Sequence, residues 1–235
     1  GGLQWLSDNG ISFENAFHQH GYTATGPGHF AIGSGRYPGP SGVLGNSYYD
    51  RELSRVVNCV EDPNAKPIGG AGIGRSYYRY SSKTIGDILK NHNPSSKVVS
   101  IAGKDRSAIM LAGQNPDLVL YYNNLDRFIT SSFYADSLPS YIHFFNSKLN
   151  LQNYRDSLWT KVLNDSLYIK YSREDNFSGE VDWYKVEHDI INDIEHEKND
   201  YNPTFPISFD RDHDPGKELM GTPWFDEIMI DLCKL

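Results

Sequence analysis

Thr23-Ala24-Thr25-Gly26-Pro27-Gly28-His29-Phe30-Ala31-Ile32-Gly33-Ser34-Gly35 runs two threonines into Gly-Pro-Gly and then into a small-residue segment that can be helical. Proline suits a first helical turn, because its missing N–H needs no partner there. Glycine lets backbone approach whatever sits in front of it. The free N–H groups and the dipole at such a helix start favour an anion, most often a phosphate. A hydroxyl at Thr25 would face that negative charge, the setting in which a weak alcohol nucleophile is helped. Thr and Gly-Pro also populate ordinary turns, so a plain capping turn is the competing reading.

Working outward, Leu3, Trp5 and Leu6 before Asn9-Gly10 read as the end of a helix with a glycine stop. Ile11 to Phe17 alternates apolar and polar residues and reads as a strand leading into the Thr25 turn. Thr25 would then lie near the carboxyl end of a strand, where open α/β sheets bind ligands. Residues 47 to 60 suit a β-hairpin flank. Gly69-Gly70-Ala71-Gly72-Ile73-Gly74-Arg75 has neither a strand before it nor a periodic helix after it, and reads as a loop rather than a nucleotide site. Thr84 with Asp87 three residues on marks a helix start, with Ile85, Ile88 and Leu89 as its buried side and Pro94 as its stop. Lys97 to Gly103 reads as a strand, Asp105 to Leu111 as a helix and Asp117 to Tyr122 as a strand, the alternation of an α/β sheet.

Beyond residue 126 the pattern changes. Leu138 to Leu149 and Tyr154 to Leu163 read as helices, and residues 164 to 221 are polar and broken by Asn, Pro and Gly. A last helix begins at Thr222-Pro223, with Trp224, Ile228 and Leu232 on one stripe.

In 235 residues, 38% hydrophobic content with 13% aromatics is enough for a core and argues against disorder. A net charge of −8 argues against a nucleic-acid backbone binder, which carries a basic face. No run of ~18 apolar residues exists, so no span of a membrane is expected. The opening on Gly1-Gly2-Leu3, with no methionine, suggests a piece of a longer protein. Cys59 and Cys233 are either one disulfide or two buried thiols, the latter preferred.

Asn46 stands 21 positions after Thr25, in Gly42-Val43-Leu44-Gly45-Asn46-Ser47-Tyr48-Tyr49-Asp50-Arg51. Lys104 and Arg106 follow an apolar strand in Val98-Val99-Ser100-Ile101-Ala102-Gly103-Lys104-Asp105-Arg106. Taken singly, Asn46 is a turn residue and Lys-x-Arg a solvated surface pair. Two apart at a strand end, both cations can face one way, Lys as a point charge and Arg as a planar fork for phosphate oxygens.

Together these motifs resemble the alkaline phosphatase superfamily in its type I phosphodiesterase/nucleotide pyrophosphatase branch, nearest to the periplasmic zinc enzymes with a threonine nucleophile. The resemblance spans about residues 1 to 125 and, more loosely, 222 to 235. It implies an α/β fold with a central, mostly parallel sheet flanked by helices. Residues 1–125 would form part of the core, 126–221 an inserted cap, and 222–235 a helix returning to the core. It implies zinc-dependent hydrolysis of phosphate monoesters through a phosphothreonine intermediate. Thr25 would be nucleophile and zinc ligand, Asn46 an amide donor to a phosphoryl oxygen, and Lys104 and Arg106 partners for the monoester dianion. The partner would be a phosphorylated small molecule and the location periplasmic or secreted. Two zinc ions are implied, yet their other ligands would precede Gly1 and follow Leu235, so the chain alone is expected to be inactive. His29 reads as a core or capping residue. His188-Asp189 and Asp212-His213-Asp214 look like metal pairs but read as solvated loops. The alternatives are a phosphodiesterase or nucleotide pyrophosphatase on the same scaffold, and a phosphate- or glycan-binding module without catalysis.

Overall fold

The computed structural model describes residues 2–155, 157–177, 204–208 and 215–235. The chain divides into two compact units, Gly1–Asn123 with Phe128–Ser140, and Asn124–Arg127 with Tyr141–Leu235.

In the first unit, helix α1 (Gly2–Asn9) closes as its glycine stop predicts, the Gly10 N–H donating to Leu6 O at 2.8 Å. The strand expected at residues 11 to 17 does not form, and Ile11, Phe13 and Phe17 are exposed. Alternation makes a strand only where a neighbour takes up its N–H and C=O groups, and no described strand pairs with this segment. Thr25 therefore does not follow a strand; it is the first residue of helix α2 (Thr25–Ser34). Pro27 falls in the first turn, and Gly35 ends the helix in the left-handed region at φ 64°.

The main sheet is mixed and has the order β4 (Pro67–Ile68), β8 (Phe128–Ser131), β7 (Leu118–Tyr122), β6 (Val99–Ala102). β6 and β7 are parallel, in register from Val99 opposite Leu118 to Ala102 opposite Tyr121, and are joined through helix α4 (Asp105–Ala112). β8 pairs antiparallel with both β7 and β4. The α/β class read from the sequence holds. The expected hairpin is β1 (Ser47–Asp50) against β2 (Arg55–Asn58). Of the glycine-rich stretch, only Gly74–Arg75 (β5) pairs, with Glu61–Asp62 (β3).

The core gathers Phe30, Tyr77, Ile109, Met110, Val119 and Ile129 among its buried residues. Gly33 sets the closeness of α2 to α4, since a Cβ there would lie 2.6 Å from Met110 O. Helix α3 (Ile85–His92) starts on the predicted capping box of Thr84 and Asp87. Its expected apolar side is reversed: Ile85, Ile88 and Leu89 are exposed, while Gly86 and Asp87 are buried. The Asp87 carboxylate accepts backbone N–H bonds from Gln114 at 3.0 Å and Asn115 at 2.9 Å. The helix thus docks by its polar first turn rather than by its hydrophobic stripe.

In the second unit, helix α5 (Ser140–Lys148) forms as expected. The helix expected over residues 154 to 163 does not. A 3-10 turn ends at Tyr154, and Leu158–Trp159 (β9) pairs antiparallel with Ile207–Ser208 (β10). The Trp159 ring meets Phe205 edge to face at 5.4 Å, so tertiary pairing decides this segment. Helices α6 (Asp165–Tyr171), α7 (Pro215–Leu219) and α8 (Pro223–Cys233) are the other helices described in this unit. Helix α8 buries Phe225, Ile228 and Leu232, with Trp224 half-buried beside Tyr154. Cys59 is a buried free thiol and Cys233 an exposed one. No helix among the described residues is long and apolar enough to cross a membrane.

Candidate active site

The first turn of α2 is held by side chains as well as by its own backbone. Half-buried Thr25 begins the helix, and His29 Nδ1 donates to the Thr25 carbonyl at 2.8 Å, an ordering role in line with its capping assignment. The Gly26 N–H, which has no partner within the helix, donates to Asn46 Oδ1 at 2.7 Å. With its oxygen so engaged, the Asn46 amide keeps both N–H donors, and no described residue accepts from them. The Asn46 backbone carbonyl in turn accepts the Cys59 N–H at 3.0 Å.

Cys59 lies directly under this turn. A Cβ on Gly26 would come within 2.8 Å of its sulfur. Burial pushes the thiol up to about 12, with the Arg106 guanidinium pulling the other way, so it stays protonated and serves as packing rather than as a nucleophile.

Lys104 and Arg106 sit beyond the carboxyl end of β6, the edge at which α/β sheets bind ligands. They do not share a strand face as their spacing implies. Lys104 is the residue before α4 and Arg106 its second residue. Lys104 is exposed, without an ion-pair partner among the described residues. Arg106 is held by Asp105, with Nη1 3.4 Å from Asp105 Oδ1, while its buried Nε has no hydrogen-bond partner among the described residues.

Helices α2 and α4 run side by side in the same direction. Gly33, late in α2, packs on Met110 and Leu111, late in α4. Gly26, early in α2, packs on a thiol that feels Arg106 and Asp105, early in α4. Their positive ends therefore lie at one end of the pair. Gly26, next to Thr25, and Asn46 thus meet Cys59, whose thiol also feels the Arg106 charge, and Lys104 precedes α4. The supporting residues Asn58, Cys59, Arg75 and Asp105 escaped sequence reasoning. Only the acidic residue between Lys104 and Arg106 signals them.

Among the described residues, no three His, Cys, Asp or Glu side chains gather as metal ligands. His188, Asp189, Asp212, His213 and Asp214 lie outside the described residues. Thr25 alone does not make the two-zinc site that the sequence resemblance implies.

In this α/β protein the groups singled out by the sequence are a hydroxyl at the start of α2, an amide bonded to the first turn of that helix, and two cations at the start of α4. The chain matches the type I phosphodiesterase/nucleotide pyrophosphatase family over residues 1–205, and it belongs to that family. It is 30% identical over 235 residues to the alkaline phosphatase PafA of Elizabethkingia meningoseptica, an alignment covering 97% of this chain and 40% of PafA. The chain thus spans less than half the length of that relative. The crystal structure of wild-type PafA superposes with a TM-score of 0.75 at 29% identity, covering 98% of this chain and 43% of that one. A PafA variant replaced at a threonine, an asparagine, a lysine and an arginine superposes with a TM-score of 0.72 at 27% identity, covering 94% of this chain and 41% of that one. Its threonine and asparagine are spaced as Thr25 and Asn46 are, and one residue separates its lysine and arginine, as Asp105 separates Lys104 and Arg106.

Proposed function

We propose that this chain supplies the nucleophile and the phosphate-binding side chains of a phosphomonoester hydrolase. The Thr25 Oγ attacks phosphorus, an Oγ–P bond forms, and the bond from phosphorus to the leaving alcohol breaks. Water then cleaves the phosphothreonine and releases inorganic phosphate. The hydrogen bond from Gly26 to Asn46 Oδ1 carries the reading, because it leaves the Asn46 N–H donors for a phosphoryl oxygen beside the nucleophile. Arg106 offers a fork and Lys104 a point charge to the remaining oxygens, and two cations suit a dianion better than a monoanionic diester. Preorganised donors of this kind act mainly on the charge that develops during transfer.

The dependence on two zinc ions, with Thr25 as one ligand, and a periplasmic or secreted location rest on the sequence resemblance. Phosphodiester hydrolysis is the second reading, favoured by the family to which the chain belongs.

Hydrolysis of p-nitrophenyl phosphate and of its bis-ester by a zinc-supplemented full-length protein that contains this chain separates the two. The monoester is the preferred substrate. Thr25→Ala abolishes turnover, and Lys104→Ala or Arg106→Ala lowers monoester kcat/KM by about 100-fold, on the scale of losing one transition-state donor, with little effect on the bis-ester. Preference for the bis-ester, with a mild effect of Lys104→Ala, would replace this reading by the diesterase one. A chelator that leaves monoester turnover intact would remove zinc from it.

A further inference from the structure

The glycine-rich loop ends at Arg75, which plays no part in the roles above yet reaches the candidate site through Asp105. Arg75 Nε lies 3.0 Å from Asp105 Oδ2. The other oxygen, Oδ1, accepts the Arg106 backbone N–H at 2.7 Å and lies 3.4 Å from Arg106 Nη1. Asn58 Nδ2 donates to Oδ2 at 3.4 Å, and the next residue, Cys59, is bonded to the Asn46 carbonyl. On its far side Arg75 lies 3.9 Å from Glu61, which Arg55 holds by a hydrogen bond that keeps its carboxyl below the usual range. The row Arg55, Glu61, Arg75, Asp105, Arg106 therefore alternates in charge and ends on the residue offered to phosphate.

We infer that Asp105, braced by Arg75 and Asn58, is a positioning residue that sets the Arg106 guanidinium relative to Asn46; the inference rests on the phosphate-site reading above. One carboxylate serves two guanidiniums here. It fixes Arg106 from one side without using all of its donors, since the buried Nε remains without a partner among the described residues. Asn58 ties the same carboxylate to the turn that carries Asn46. A fork matched to phosphate works only when its plane is held, which is what a charged, hydrogen-bonded neighbour supplies.

The sign of the effect separates positioning from simple electrostatics. Removing a negative charge beside a phosphate site raises the local positive potential and by itself tightens phosphate binding. Loss of positioning weakens it. Inorganic phosphate is titrated into the protein and into Asp105→Asn, Asp105→Glu, Arg106→Ala and the Asp105→Asn/Arg106→Ala pair, with dimethyl phosphate as the diester control and thermal unfolding of each variant recorded. Asp105→Asn weakens phosphate affinity by about tenfold, the lower end for a residue acting through a ligand-holding group. It adds nothing in the Arg106→Ala background, because its effect passes through Arg106. Asp105→Glu keeps the charge but displaces the carboxylate, so it also weakens binding, and it carries the test if the asparagine variant unfolds. Tighter or unchanged phosphate binding in a folded Asp105 variant, or additive losses in the double variant, overturns the inference alone. Unchanged phosphate affinity in Arg106→Ala overturns the phosphate-site reading and the inference with it.

Discussion

A methyl group on residue 26 would lie 2.8 Å from the Cys59 sulfur and 3.4 Å from Asn46 Oδ1. Gly26→Ala must therefore push the first turn of α2 away from the two groups that hold it. The substitution is expected to destabilise the first unit by about 1–3 kcal/mol, the usual cost of overpacking. Urea unfolding measures this, and Cys59→Ala in the same chain should return part of the loss. Thr25, Asn46, Lys104 and Arg106 were legible because their types and spacing survive in the linear string. Arg75, Asn58 and Asp105 were not. Their contacts join residues 30 and 47 positions apart, and an Arg ending a glycine loop looks like any exposed cation.

Helix placement follows the same logic at larger scale. Gly33→Ala sets a Cβ 2.6 Å from Met110 O and 3.3 Å from Leu111 Cα, backbone atoms that cannot step aside. This change should spread α2 from α4, lower the thermal midpoint and weaken phosphate binding together, since both helix starts lose their mutual placement. Thr84→Ala removes a cap that the sequence announced, and should cost about 1 kcal/mol in urea unfolding. Caps, glycine stops and the β6–α4–β7 alternation are local and were legible. The apolar stripe of α3 misled, because Asp87 finds three backbone donors, at Thr84, Gln114 and Asn115, once the chain is folded. The alternation of residues 11 to 17 misled in the opposite way, a strand pattern without a described partner strand.

For the molecule as a whole, burial has pushed several acids toward their neutral forms. Cys59 moves from 9.0 to about 12, and Tyr77, Tyr80, Tyr121 and Tyr134 all rise above 10.0 through burial. Below pH 9.0 the thiol keeps its proton folded or unfolded, so its contribution is fully present. Between 9.0 and about 12 the unfolded chain releases a proton that the folded chain retains, and stability falls as pH rises. The tyrosines add to the fall with the same sign above 10.0. Melting at about pH 8 and about pH 10.5 should show the drop, and Cys59→Ala should make it shallower. The central claim is that the helix start carrying Thr25 performs covalent phosphoryl transfer. Its most direct test is acid quenching of a zinc-supplemented full-length protein that contains this chain during p-nitrophenyl phosphate turnover, followed by peptide mass spectrometry. The account predicts a phosphoryl group on the peptide bearing Thr25, located at Thr25 and absent from Thr25→Ala. Sustained turnover with no phosphoryl group on Thr25, or unimpaired turnover by Thr25→Ala, would contradict it.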